Sequence, residues 1–104
     1  MIDFGKIIGF NWDSGNSRKN IDKHDVGQLE AEQVFVNEPL LVVSDALHSV
    51  HEIRLHALGH TDTGRLLHLT FTLRYQETMI RIISARDMSR KERGHYAKSS
   101  QSRS

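Results

Sequence analysis

The chain has no cysteine, a single proline and few aromatic residues. Without cysteine it has no disulfide framework, no thiolate zinc site and no cysteine nucleophile. No apolar run approaches the ~18–20 residues that a membrane-spanning helix needs, and the N-terminus lacks a secretory signal. We therefore expect a soluble protein of the cytoplasm.

Net charge is also nearly absent, at +1, but this total hides an uneven distribution. Residues 81–104 hold seven basic and two acidic side chains, whereas residues 1–80 hold seven basic and eleven acidic ones. Positive charge gathered at one end of a chain indicates a surface that faces phosphate groups. At 104 residues the chain has the length of one domain, which we place at 1–97, followed by a polar, flexible tail at 98–104.

The sequence predicts two helices in the first third of the chain. Asp13 or Ser14 offers an N-cap for a first helix over roughly residues 16–24. After a glycine, apolar residues at helical spacing predict a second helix over 29–36, which Pro39 ends.

Most of the remaining chain alternates in the manner of strands, and a capping box, Ser89 with Glu92, opens a final helix. The strands are predicted at roughly residues 6–10, 40–43, 52–58, 65–74 and 79–86. This order predicts an α+β fold, with the N-terminal helices and the C-terminal helix packed on one face of a small, mainly antiparallel sheet.

Arginines near the C-terminus are the first candidates for chemistry, because a guanidinium group binds phosphate and stabilises developing negative charge. Strand alternation places Arg81 and Arg86 on opposite faces. Both can serve one site only if the strand twists or bulges, or if Arg86 lies at its very end. The alternative is a solvated helix face, on which Arg90 and Arg93 pair with Glu92.

Two further groups have both a structural and a functional interpretation. Tyr96 recurs at helical spacing with Met88, so its ring can be packed, or its hydroxyl can orient or donate a proton beside the arginines. His24 follows a basic cluster that contains Arg18, Lys19 and Lys23. It can cap a helix C-terminus or act as an acid or base.

The other histidines are numerous without showing a metal-binding spacing. No His-Glu-x-x-His pattern occurs, and His56 shares a strand face with His60 only if that strand continues through Gly59. A metal site built from these histidines is the weaker alternative, and a small metal-binding protein is the weakest function class. The residues concerned are His48, His51, His56, His60 and His68.

An ordered set of short motifs resembles the BrnT family of bacterial toxins. The motifs are Phe10-x-Trp12-Asp13, Asn20-x-x-Lys23-His24-x-Val26, Ala31-x-x-Val34-Phe35, Gly64-Arg65-Leu66-Leu67, Phe71-Thr72-x-Arg74, Ile80-Arg81-Ile82-Ile83-Ser84-Ala85-Arg86 and Glu92-Arg93-x-x-Tyr96. Together they span about residues 10–96, nearly the whole chain. The most specific part is the arginine-bearing strand followed by the last motif.

The resemblance implies a RelE-like fold and an endoribonuclease toxin that needs no metal or other cofactor and arrests translation. It also implies a BrnA-like antitoxin with a ribbon-helix-helix domain, through which the complex binds operator DNA. The catalytic candidates are Lys23, Arg65, Arg81, Arg86 and Tyr96. The RNA-binding candidates are Arg18, Lys19, His24, Arg74, Arg90 and Arg93. The general base stays open among Lys23, His24 and a water held by arginine.

Two positions depart from the family pattern. Asn16 stands where the family has lysine, and Asp25 stands where it has glycine, a residue suited to the left-handed end of a helix. These departures support an alternative in which the chain is a weak or inactive member. Such a protein would bind the antitoxin and take part in transcriptional autoregulation.

Overall fold

The computed structural model describes residues 3–12, 24–48 and 52–102. All but the last residue of the predicted first helix, with Lys23, Arg18, Lys19 and Asn16, therefore lies outside the described residues. In the described part of the chain, no helix is long and apolar enough to cross a membrane.

A five-stranded mixed sheet forms the centre of the protein, with the strand order β1-β5-β4-β3-β2. β1 pairs in parallel with β5, and the other three pairings are antiparallel. The strands are β1 (Gly9–Phe10), β2 (Leu41–Ser44), β3 (Leu55–His60), β4 (Leu66–Arg74) and β5 (Met79–Asp87). The α+β class is confirmed, and β3 does continue through Gly59.

Two α-helices accompany the sheet in the described residues: α1 (Gln28–Val34) and α2 (Arg90–Ser102). Short 3-10 helices occupy Phe4–Lys6 and Ala46–His48. The predicted capping box is confirmed, since Ser89 accepts the Glu92 amide at 3.2 Å and Glu92 accepts the Ser89 amide at 2.8 Å. α2 extends to Ser102, well beyond residue 97, where we expected the helical domain to end.

A β-bulge in β5 sets which side chains share a face of the sheet. Thr70 pairs with Ser84 and its neighbour Phe71 pairs with Ile82, so Ile83 is an extra residue on β5. The extra residue reverses the alternation along the strand. One face, the core face, carries the fully buried side chains of the sheet centre: Leu67, Leu69, Phe71, Ile80, Ile82 and Ala85. The opposite face, the polar face, carries His56, His68, Thr70, Thr72, Arg81, Ser84 and Arg86.

The helices contact opposite faces of the sheet, so our prediction that they share one face is wrong. α1 packs on the core face at Gly59 of β3, where an added Cβ would lie 2.6 Å from Cγ1 of Val34. The next residue, His60, points the other way and contacts Tyr96 of α2. The sequence pattern showed amphipathic helices, but it did not show which side of the sheet each one covers.

Candidate functional site

Arg86 lies at the end of β5 on the polar face and still has hydrogen-bonding capacity. Its Nη1 donates to the Asp87 carbonyl at 3.0 Å and to Glu92 Oε1 at 2.8 Å, and its Nη2 donates to Glu92 Oε2 at 3.0 Å. These bonds use three of the five N–H groups of a guanidinium. The other two, on Nε and Nη2, have no partner within residues 3–12, 24–48 and 52–102. Because 38% of the side chain is exposed, Arg86 can bind an anion without losing its support.

Glu92 is the residue that holds Arg86 in place. The hydrogen bonds from Arg86, and to a lesser degree the one from the Ser89 amide, lower the pKa of Glu92 to about 2, with burial opposing them. The same hydrogen bonds raise the pKa of Arg86. The first turn of α2 is thereby joined to the end of β5 by a charge-assisted, bidentate pair.

Arg81 lies on the polar face with Arg86, five residues away along the bulged strand. Its Nη1 donates to the Asn11 side-chain oxygen at 2.8 Å, directly after β1. The sequence raised a bulge as one way for the two arginines to share a face, and the structure contains that bulge. Two of the predicted catalytic arginines therefore lie on the same side of one strand.

Arg65, by contrast, uses its hydrogen-bond donors in contacts that stabilise the fold. It donates to both carboxylate oxygens of Asp87, at 2.8 and 3.1 Å, and to Glu30 at 3.2 Å. It also donates to the backbone oxygens of Asp25 at 2.8 Å and His24 at 3.2 Å. Asp87, and to a lesser degree Glu30, raises the pKa of Arg65, with burial opposing. All five of its N–H groups are used, so a phosphate could bind Arg65 only by displacing one of these partners.

Tyr96 is buried, with 6% of its surface exposed, and its hydroxyl has two partners. The hydroxyl donates to the Pro39 carbonyl at 2.6 Å and lies 2.9 Å from Nδ1 of His60. Burial raises the pKa of Tyr96. This geometry matches the packing interpretation of Tyr96, and the single O–H donor of the residue is used by the Pro39 carbonyl.

A group of polar residues that the sequence suggested only for a metal site, or not at all, lies beside Arg86 on the polar face. Nε2 of His56 lies 2.8 Å from Asp45 Oδ2, and its Nδ1 lies 3.0 Å from the Thr70 hydroxyl. The ring of His68 is 5.0 Å from that of His56, measured between centroids. His68 is also the direct cross-strand partner of Arg86. The feature of the sequence that could have identified this group is the alternation of His56, His68 and Thr70 with apolar residues. This alternation places the three side chains on one side of β3 and β4.

Of the remaining candidates, Arg74 continues the polar face at the end of β4, two residues beyond Thr72. The others lie elsewhere or outside the described residues. Arg74 pairs with Glu52 at 3.3 Å, next to the turn that joins β4 to β5. Arg90 and Arg93 are exposed on α2, and Arg90 lines an open groove whose other side includes Leu58. His24 offers its backbone oxygen to Arg65. No group of three or more histidine and acidic side chains among the described residues is placed to share a metal ion.

Comparison with known proteins agrees with the motif pattern. Among solved structures, the chain is similar to the ribonuclease toxin BrnT of Brucella abortus, with a TM-score of 0.61 and 21% sequence identity. The match covers 80% of this chain and 99% of that chain, and at this identity it shows a shared fold. No protein of curated function matches the chain significantly.

A comparison with protein families identifies the family. The sequence model of a family described as "Ribonuclease toxin, BrnT, of type II toxin-antitoxin system" matches residues 12–92. The matched segment contains Arg81 and Arg86 of the polar face, and also Glu92 and Arg65. Since it covers well over half of the 104 residues, the chain belongs to the family of BrnT ribonuclease toxins of type II toxin–antitoxin systems.

Proposed function

We propose that the protein is an active endoribonuclease whose site is the polar face at Arg81 and Arg86. The observation that carries the proposal is Arg86, a supported guanidinium with two N–H groups that have no partner among the described residues. The bulge places Arg81 on the same face, so that both positive charges can act on one strand of RNA.

The proposed reaction is attack of a ribose 2′-hydroxyl on the adjacent phosphate. Negative charge accumulates on the phosphate oxygens in the transition state, and fixed guanidinium groups stabilise it without reorganising. No step of this chemistry calls for a metal, and we propose that the enzyme is metal-independent. The exposed arginines of α2 at positions 90 and 93, together with Arg18 and Lys19, would bind the RNA backbone, and Lys23 stays a candidate for the reaction itself.

In the cell, such activity would arrest translation by destroying RNA in the cytoplasm. We expect a BrnA-like antitoxin with a ribbon-helix-helix domain to neutralise the protein and to connect it to operator DNA. We also propose that the fold belongs to the RelE-like group, as the resemblance to the BrnT family implies.

Induced expression tests this proposal. Wild-type protein should stop growth and protein synthesis, and Arg86→Ala should restore both. Lys6→Ala is the matched control, because it also removes one positive charge but lies at an exposed ion pair with Glu77. Growth unaffected by wild-type protein at high expression, without antitoxin, would refute the proposal.

A second candidate function is antitoxin binding without catalysis. Arg65 and Tyr96, two of the predicted catalytic residues, have their donor groups used by structural contacts, which favours this alternative. Purified protein that binds the antitoxin tightly and leaves RNA intact at high enzyme concentration would select it.

A further inference from the structure

We infer that His68 and His56 are the proton-transfer pair of this site: His68 takes the proton from the attacking hydroxyl, and His56, held by Asp45, donates one to the leaving oxygen. The inference rests on the proposed ribonuclease function. It names a general base and a general acid among residues that the structure describes.

His56 is held as an oriented proton donor. Asp45 Oδ2 lies 2.8 Å from Nε2, which fixes the ring and leaves Nδ1 directed at the polar face. Nδ1 lies 3.0 Å from the Thr70 hydroxyl, within hydrogen-bonding distance. About a quarter of the His56 side chain is exposed. Thr70 is buried, so its hydroxyl would have to give way to a substrate oxygen at Nδ1.

His68 has the complementary properties of a proton acceptor. Its Nδ1 is buried and has no hydrogen-bond partner among the described residues, so the nitrogen that would accept a proton from the substrate is Nε2. Nε2 lies 3.9 Å from Glu92 Oε2, beyond hydrogen-bonding distance. Burial is the main cause that lowers the pKa of His68, and the nearby Arg86 and His56 lower it further, whereas Glu92 opposes them. The neutral imidazole is therefore favoured, as a general base requires.

Across the sheet the three groups lie on neighbouring strands in the order Arg86, His68, His56. His68 is paired with Arg86 across β4 and β5, so a phosphate bound to the guanidinium lies next to the His68 ring. The His56 ring follows at 5.0 Å on the next strand. A base, an anion site and an acid thus lie in neighbouring positions on one face.

The reaction balances without an added reagent. His68 accepts the proton of the 2′-hydroxyl as the 2′-oxygen bonds to phosphorus. The bond from phosphorus to the 5′-oxygen breaks, and that oxygen receives the proton of the His56 imidazolium. The products are a 2′,3′-cyclic phosphate and a 5′-hydroxyl, and a proton exchange with water resets the pair.

Rates of RNA cleavage as a function of pH test the base. In either variant, His68→Gln or His56→Ala, the rate should fall by about 10²–10⁴-fold at neutral pH. His68→Gln should also remove the acidic limb of the pH–rate profile, because that limb reports protonation of the base. His95→Gln, a change on the exposed surface of α2, should leave rate and profile unchanged.

A substrate with sulfur in place of the 5′-oxygen tests the acid. A thiol has a pKa of about 8.5, so a thiolate can leave without being protonated, whereas an alkoxide needs a proton in order to leave. His56→Ala should therefore regain most of its activity on the sulfur substrate, and His68→Gln should not. A purely structural role for His56 would slow both substrates equally, which would overturn the inference, and thermal unfolding of each variant verifies that it is folded.

The outcomes separate this inference from the function on which it rests. Wild-type protein that leaves RNA uncut would refute both the ribonuclease function and the histidine pair. Wild-type protein that cuts RNA in an Arg86-dependent way, while His68→Gln and His56→Ala keep its rate and pH profile, removes only the histidine pair.

Discussion

Arg81 and Arg86 lie on the same face of β5, although their odd spacing would place them on opposite faces of a regular strand. The extra residue at the bulge, Ile83, produces this relationship. Bulges commonly occur next to active sites, where they redirect a side chain. In this protein the bulge keeps isoleucine and alanine in the core and directs both arginines away from it.

Deletion of Ile83 should keep every side chain of β5 on its present face. The deletion leaves Arg81 and Arg86 an even four positions apart, so regular alternation holds both on the polar face and keeps Ile82 and Ala85 in the core. The loss then comes from the Ile83 side chain, and we expect the deletion and Ile83→Ala each to cost about 1–3 kcal/mol in the free energy of unfolding. Urea unfolding of both variants measures this, and a deletion variant that fails to fold while Ile83→Ala folds would contradict this account of the bulge.

The Arg86–Glu92 pair should make stability depend on acidic pH. Because the pKa of Glu92 is lowered from 4.5 to about 2, the native state holds the ionised carboxylate more tightly than the unfolded chain does. This contribution is complete above pH 4.5 and is lost as the pH falls toward about 2.

Glu92→Gln should accordingly be less stable than wild type at neutral pH, and the two should converge as the pH falls through that window. Denaturant unfolding at a series of pH values is the measurement, with Glu38→Gln as a control that removes an exposed carboxyl elsewhere. Curves that stay parallel down to pH 2 would mean that the pair does not stabilise the fold.

Tyr96→Phe should affect stability and spare catalysis. The change removes the hydroxyl that donates to the Pro39 carbonyl and contacts His60, so we expect a loss of about 1–2 kcal/mol in the free energy of unfolding. RNA cleavage by the folded variant should match wild type. Unchanged stability together with a large loss of cleavage would mean that the hydroxyl takes part in the reaction.

Asp25→Gly should stabilise the protein. Asp25 has a φ of +54°, in the left-handed region that aspartate tolerates less well than glycine, and glycine would relieve about 0.5–1 kcal/mol of strain. The backbone bond from Arg65 to residue 25 is kept. The converse change, Gly64→Ala at a φ of +90°, should destabilise the protein, and a thermal shift of the same sign in both would contradict this explanation.

The elements of the fold were largely predictable from the sequence, because they depend on local patterns. The apolar alternation of β4, the isoleucines of β5 and the Ser89–Glu92 capping box each identify an element without its neighbours. The predicted helix over 29–36 also exists, although it ends at Val34. Such boundaries depend on packing that a single segment does not show.

The arrangement of the site was less predictable, because it depends on residues far apart in the sequence. Arg65 joins Asp87 to the backbone at Asp25, and the sequence around Arg65 indicates neither partner. The pairing of Asp45 with His56 follows from the register of β2 and β3, which turn signals alone did not determine. The residue types at Arg81 and Arg86 indicated the chemistry, whereas their shared face required the bulge.

Cleavage of single-stranded RNA by purified wild-type and Arg86→Ala protein, in the presence of a metal chelator, tests the central claim most directly. We predict that the wild-type protein cuts RNA under these conditions and that the variant, folded to the same degree, is slower by about 10²–10³-fold. Equal cleavage by the two proteins, or no cleavage by either, would contradict the assignment of the polar face as a ribonuclease site.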